Sequence, residues 1–440
     1  MKVYKFGGTS VGTPDRMKHV AKLITADNEK KIIVLSAISG TTNTLVEIGD
    51  LFRLGNIDGA LARLEELRAT YDPFIQSLLT EASNKKIAFK IVNQYFDEMH
   101  RLIHQPFYNQ ILKIIVVNGE LISTHLFQTY LNEKHPGSSG LIPASEFMYL
   151  NESEEPNMAL ISAKLESLLN QNTAYELHIT QGFICRNCSG GIDNLNRGGS
   201  DYSATIMGAA LNVQEIQIWT DIDGMHNNDP RIVDNTKPIS NLSFEEAGEL
   251  AYFGAKILHP TCIIPAQQFD IPVRIKNTMK PFAYGTLITS NQNPETVKAI
   301  AAKDGITAIK IKSSRMILAY GFLRKVFEVF EQYQTPIDMI TTSEIAVSIT
   351  IDDPKFLEQI IQDLQKYGKV EVDVNQTIIC IVGDMVAEQK GISSEIFKAL
   401  EEIPIRMISY GGSRNNISLL VKNNLKEKTL KSLNSHLFNL

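Results

Sequence analysis

A change of grammar near residue 292 constrains this chain more than any other feature. Before it, short apolar runs alternate with helical stretches. KVYKF precedes PDRMKHVAKLI, which opens behind Thr13-Pro14, and KIIVLSAI precedes TTNTLVEIGDLF. ILKIIVVNGE, ELHITQGFIC and EIQIWTDID also read as strands, and a long helical stretch fills roughly 58–104. Such alternation predicts a parallel sheet covered on both faces, with ligands held beyond the carboxyl ends of the strands. From residue 306 the order becomes β-α-β-β-α-β, and from 377 it is β-α-β-β-α. That is an internal repeat of about seventy residues with ferredoxin-like order. The second copy stops one strand short, and VKAIAAKDG (297–305) is expected to supply it. The expected fold is α/β: a three-layer sheet domain over 1–292, then ferredoxin-like modules over 297–376 and 377–440, the leading strand shared between them.

Composition removes several function classes. The net charge is −6 and no basic block marks a nucleic-acid surface. No apolar run has membrane length, and MKVYKFGGTS lacks the apolar core of a signal peptide. A cytoplasmic protein without nucleic-acid or membrane partners is expected. Cys185 and Cys188 form a lone C-x-x-C with no second ligand pair at zinc-site spacing, so no metal site and no role is assigned to them.

Five segments carry polar residues where strands end. In KFGGTSVGT, Gly7 and Gly8 let backbone N–H groups face an anion, and Lys5 adds a point charge. Gly8 to Gly12 also spells G-x-S-x-G, but a nucleophile elbow belongs deeper in a hydrolase sheet. No G-x-x-x-x-G-K-[ST] occurs. Glu120 in VNGELIS sits just past what reads as a strand, where it can accept from an ammonium group or simply favour a helix N-terminus. NRGGSDYSA sets Arg197, Gly198-Gly199, Ser200 and Asp201 at a helix start, with Ser200 or a neighbour as the cap. WTDIDGMHNNDPR brings Thr220 and Asp221 to a strand end and Arg231 to a rigid turn. FGAKILHP places Lys256 before His259-Pro260, where His259 reads as a cap.

Together with SAISGTTN and the paired tail, these segments resemble the aspartate kinases of the amino-acid kinase family, and the tail resembles tandem ACT domains. The resemblance covers nearly the whole chain. It implies ATP-dependent phosphorylation of the L-aspartate side-chain carboxylate, the first step toward lysine, threonine and methionine, with ATP and Mg2+ as cofactors. By the resemblance, Lys5, Asp201 and Lys256 are catalytic, Asp201 orienting the lysines. Lys5, Gly7, Gly8, Thr220, Asp221, Arg231 and Lys256 line the nucleotide. Ser36, Thr42, Glu120, Arg197 and Ser200 hold the substrate. The resemblance also implies feedback by L-lysine at Met316, Asp338, Thr342 and Ser343, in a homodimer or a dimer of dimers. Three places depart from the pattern, the first being GFICRNCSGGIDNLNRGG, whose cysteines stand where relatives often carry polar or glycine residues. His226 stands where relatives carry a tyrosine, and Leu318-Ala319 where lysine-inhibited relatives tend to carry His-Ser.

Two other readings stay open on the residues. One is a carboxylate kinase of the same fold acting on glutamate or N-acetylglutamate. The other is an amino-acid sensor whose kinase module is inert.

Overall fold

The computed structural model describes residues 1–195, 198–254, 258–291, 297–313, 320–384 and 386–440. They form two compact units. The first takes 1–225, 240–244 and 258–290; the second takes 226–239, 245–254 and the described residues from 291 onward.

The chain opens with β1 (Lys2–Phe6), α1 (Pro14–Ile24) and β2 (Lys31–Leu35). Thr13 caps α1, its side chain accepting from Arg16 N. Four helices follow: α2 (Thr41–Arg53), α3 (Ile57–Leu78), α4 (Ala82–Ile103) and α5 (Asn109–Lys134). Then come β3 (Ser139–Leu141), α6 (Met158–Gln171), β4 (Leu177–Gln181), a hairpin of β5 (Ile184–Arg186) and β6 (Ile192–Asn194), α7 (Gly199–Ala210) and β7 (Ile216–Thr220). Next are β8 (Asn241–Ser243), α8 (Phe244–Tyr252), α9 (Ile264–Gln268), β9 (Val273–Asn277) and β10 (Thr286–Thr289). The described strands make an eight-stranded sheet in the order β3-β4-β2-β1-β7-β9-β10-β8. It is parallel except where β10 runs against β9. β1 has β2 on one side and β7 on the other, so the strand order reverses beside it, where open α/β sheets form their ligand crevice.

The run ILKIIVVNGE is not a strand. It lies within α5, the 26-residue helix whose buried side chains include Ile111, Ile115, Val117 and Leu126. A helix buried on several faces loses the 3.6-residue polar rhythm, and its β-branched run then imitates a buried strand. Glu120 is therefore neither a strand-end carboxylate nor an N-terminal helix acid. It sits in mid-helix inside the core packed around Phe52, Tyr71, Phe96 and Phe127.

The second unit holds β11 (Ala299–Lys312), α10 (Phe322–Gln332), β12 (Ile340–Thr342), β13 (Ala346–Ile351), α11 (Leu357–Leu364) and β14 (Lys369–Val382). It continues with α12 (Ile392–Ala399), β15 (Met407–Tyr410), β16 (Asn416–Lys422) and α13 (Lys426–Phe438). Its sheet runs β12-β13-β11-β14-β16-β15. β11 and β14 are 14 residues each and pair antiparallel along most of their length, with register shifts between Lys303 and Ala308. Ala299–Lys303 pairs with Ile378–Val382, while Thr307–Lys312 pairs with β13. Each half of these strands thus serves a different repeat. Two apolar cores follow, one around Ile300, Ile379 and Ile417, the other around Ile309, Phe330 and Ile349. Two stretches inside the expected kinase span, 226–239 and 245–254, cluster with this second unit.

Candidate active site

In the first unit a circuit of contacts links the ends of β1 and β2 to α5 and α7. Lys5 Nζ lies 2.6 Å from Asp201 Oδ1, both side chains largely buried. The approach lacks the alignment of a hydrogen bond, so charge carries the contact. One residue back in α7, Ser200 Oγ accepts from Ser36 Oγ at 2.9 Å. Beside Ser36, Ala37 N donates to Glu120 Oε1 at 3.2 Å. A Cβ added at Gly8 would lie 2.9 Å from the Ala37 carbonyl oxygen, so only glycine lets the loop after β1 pass this close. The circuit is closed.

Glu120 is 3% exposed, and its Oε2 has no partner among the described residues. Burial pushes its carboxyl up to about 7. Thr41 and Tyr71, which share a 3.2 Å hydrogen bond, were not singled out by sequence. Burial raises the Tyr71 phenol to about 12, and the Glu120 charge adds to the rise. Thr41 is buried, whereas its neighbour Thr42 is half-exposed.

Gly198 (φ 70°) caps α7, so the glycine pair opens the helix and Ser200 lies in its first turn. A helix N-terminus with partial positive charge therefore opens beside the Lys5–Asp201 pair. Gly7 N–H donates to Trp219 O at 3.4 Å, and a Cβ at Gly7 would stand 3.4 Å from Lys5 Nζ. The Gly7 amide is thereby committed to β7, which corrects the expectation that it faces an anion, and the added Cβ would make only ordinary contact with the Lys5 ammonium. Ser10 is no nucleophile: it is 3% exposed and bonded to Thr278 Oγ1 at 2.7 Å.

Thr220 ends β7, and its hydroxyl donates to Asp221 Oδ1 at 3.2 Å. Asp223, two residues on, accepts from Asn277 and pairs with Lys280 at 2.8 Å. The repeated acid in WTDID is the signal that marks Asp223 as a second rim acid. His259 caps the turn at Pro260–Cys262, accepting from Thr261 N, as its place before proline predicts. All four cysteines are free thiols.

In the second unit, Arg231 forms an exposed 2.7 Å ion pair with Asp229, and His226 Nδ1 shares a 2.9 Å hydrogen bond with Thr236. The Asp338 side chain is buried, with Lys303 Nζ at 2.7 Å, while Thr342 and Ser343 are exposed. Arg197, Lys256, Met316 and the Leu318-Ala319 pair lie outside the described residues.

A sequence profile described as the amino acid kinase family matches residues 1–277, and an ACT-domain profile matches 379–437. The lysine-sensitive aspartokinase 3 of Escherichia coli is 33% identical over 99% of this chain and 99% of its own. The chain belongs to the aspartokinase family. Among solved structures, E. coli aspartokinase III in complex with aspartate and ADP (R-state) matches with a TM-score of 0.84 and 31% identity, covering 100% of both chains. The same enzyme with lysine and aspartate (T-state) matches at 0.81 and 32%, covering 100% of this chain and 99% of that one. The aspartokinase fold thus accounts for both units, including the first ferredoxin-like repeat, which the ACT profile leaves out. No described helix is long and apolar enough to cross a membrane.

Proposed function

We propose that this aspartokinase transfers the γ-phosphoryl group of ATP to the side-chain carboxylate of L-aspartate, giving 4-phospho-L-aspartate. The closed circuit from Lys5 through Asp201, Ser200, Ser36, Ala37, Glu120 and Gly8 supports this reading most. Attack of a carboxylate on a triphosphate brings two anions together, so positioning and charge neutralisation do most of the work. No general base is needed, because the acceptor carboxylate is already ionised near neutral pH.

Lys5 supplies a fixed positive charge at the Gly7-Gly8 loop, and Asp201 holds it there. Thr220, Asp221, Arg231 and Lys256 are assigned to the nucleotide. Glu120 Oε2 is the acceptor for the substrate ammonium. Ser36, Thr42 and Ser200 line the substrate, and Arg197 takes its α-carboxylate with a planar fork that lysine cannot reproduce. No group of three metal-ligating side chains occurs among the described residues. Mg2+ would arrive with the nucleotide phosphates and neutralise their charge. The proposed division is a kinase domain over 1–292 and ACT modules over 297–376 and 377–440.

Feedback by L-lysine is assigned to the first ACT module, at Asp338, Thr342, Ser343 and Met316. The buried Asp338 Oδ2, without a partner among the described residues, supports an ammonium ligand there, and a 33%-identical relative is named lysine-sensitive. Pairing of the tails into a homodimer, or a dimer of dimers, is proposed from the exposed Ile340, Ile408 and Tyr410 on edge strands β12 and β15.

ADP release and hydroxamate formation, measured with aspartate, glutamate and N-acetylglutamate, test the assignment. Turnover with aspartate above the other acids is expected. Preference for another acid, or no ADP release with any, overturns it. Adding lysine, threonine or methionine in turn identifies the effector.

A further inference from the structure

Tyr252 ends α8, inside the span that matches the kinase family, yet its hydroxyl donates to Asp338 Oδ1 at 2.8 Å. Lys303 Nζ lies 2.7 Å from that same oxygen and 2.8 Å from Asp352 Oδ2, and sits 4.3 Å from the centre of the Tyr252 ring. Two carboxylates facing one ammonium leave this cluster with an excess negative charge. The Asp338 side chain is 1% exposed, and its Oδ2 has no partner among the described residues. A buried carboxylate oxygen without a donor is unfavourable. Among the described residues the cluster lacks both one donor and one positive charge. The ammonium of an amino acid supplies both.

Such a ligand would draw the Asp338 charge toward Oδ2 and weaken what Oδ1 offers to Tyr252 and Lys303. Burial, then the hydrogen bond to Asp338, push the Tyr252 phenol up to about 12, so it remains a donor at neutral pH. Along the chain, Lys256 follows only four residues after Tyr252.

We propose that Tyr252 is a coupling residue, whose hydrogen bond to Asp338 passes occupation of the effector site to the segment carrying Lys256. The inference rests on the reading of Asp338 as effector-binding. An effector shifts activity only through differing affinity for two states, and a hydroxyl held by Asp338 in one state and released in the other supplies that difference.

The test uses the full-length enzyme. Lysine binding is measured by calorimetry with and without aspartate, and inhibition by ADP release at saturating lysine. Tyr252→Phe removes only the hydroxyl and keeps the ring beside Lys303. The variant is expected to bind lysine with Kd within about threefold of the parent, yet to keep severalfold more activity at saturation. Because coupling is reciprocal, aspartate should also change the lysine Kd less than in the parent. Tyr252→Leu repeats the comparison without the ring, and circular dichroism checks that each variant folds. A variant inhibited as completely as the parent overturns the coupling role alone. So does a folded variant that no longer binds lysine, since Tyr252 would then be part of the binding site. A parent that binds none of lysine, threonine or methionine overturns the effector reading and this inference with it.

Discussion

Lys5 Nζ and Asp201 Oδ1 meet at 2.6 Å, joining the last turn of chain on β1 to the first turn of α7. In the proposed reaction the acid fixes this flexible ammonium where phosphate charge develops. Lys5→Ala should lower kcat on the order of 10²-fold or more, and Asp201→Ala similarly. Because the two act as a unit, the double variant should lose little beyond the worse single one. ADP release with aspartate measures this. A single variant with parental turnover removes that residue from the mechanism.

Glu120 gives a pH prediction with a definite sign. Its carboxyl is raised to about 7 from the ordinary 4.5, chiefly by burial. A substrate ammonium favours the ionised carboxylate, so binding expels the proton wherever Glu120 still carries one. The aspartate KM should therefore fall as pH rises toward 7 and level off above it. Glu120→Gln should raise KM and erase that slope. In the unliganded protein the same shift works against folding. The unfolded carboxyl ionises first, so stability declines as pH rises from 4.5 toward 7. At pH 8 the glutamine variant should then melt no lower than the parent. A pH-independent KM in the parent would contradict the assignment.

The local signals at strand ends were legible in the sequence because few residue types can do what those positions require. Lys5, the glycine pair, Ser200 and Asp201 converge as their motifs suggest. The repeat was legible because each copy keeps its own strand and helix order, and residues 299–303 do pair within the second repeat's half of the sheet. What failed was α5. Its apolar residues surround the helix, and nothing in VVNGE separates a buried helix from a buried strand. Tyr252 and Lys303 were invisible for another reason: their partner Asp338 is remote in sequence, and only packing brings them together.

Gly198 is held at φ 70°, and a Cβ there would fall 2.1 Å from Cys262 Sγ and 3.1 Å from His259 Cβ. Gly198→Ala combines left-handed strain with overpacking, and should destabilise the kinase unit by about 2–4 kcal/mol. Adding Cys262→Ala should relieve the clash while leaving the strain, recovering part of the loss. Urea midpoints for the single and double variants separate the two terms. Equal stability of Gly198→Ala and the parent would show that α7 starts with different geometry.

Lys298 and Glu246 form a 2.9 Å ion pair with both side chains 1% exposed. Burying two charges is compensated only while both are present, because the desolvation of each is offset by the other. Lys298→Met removes the ammonium that faces Glu246 Oε2 in this buried pair and should lower stability by about 3–5 kcal/mol. Replacing both partners, as Lys298→Met with Glu246→Leu, removes the second buried charge as well and should restore much of that stability. Denaturant unfolding of the two single variants and the double variant completes the cycle. If Lys298→Met alone costs less than about 1 kcal/mol, the pair is solvated in solution, as surface pairs are.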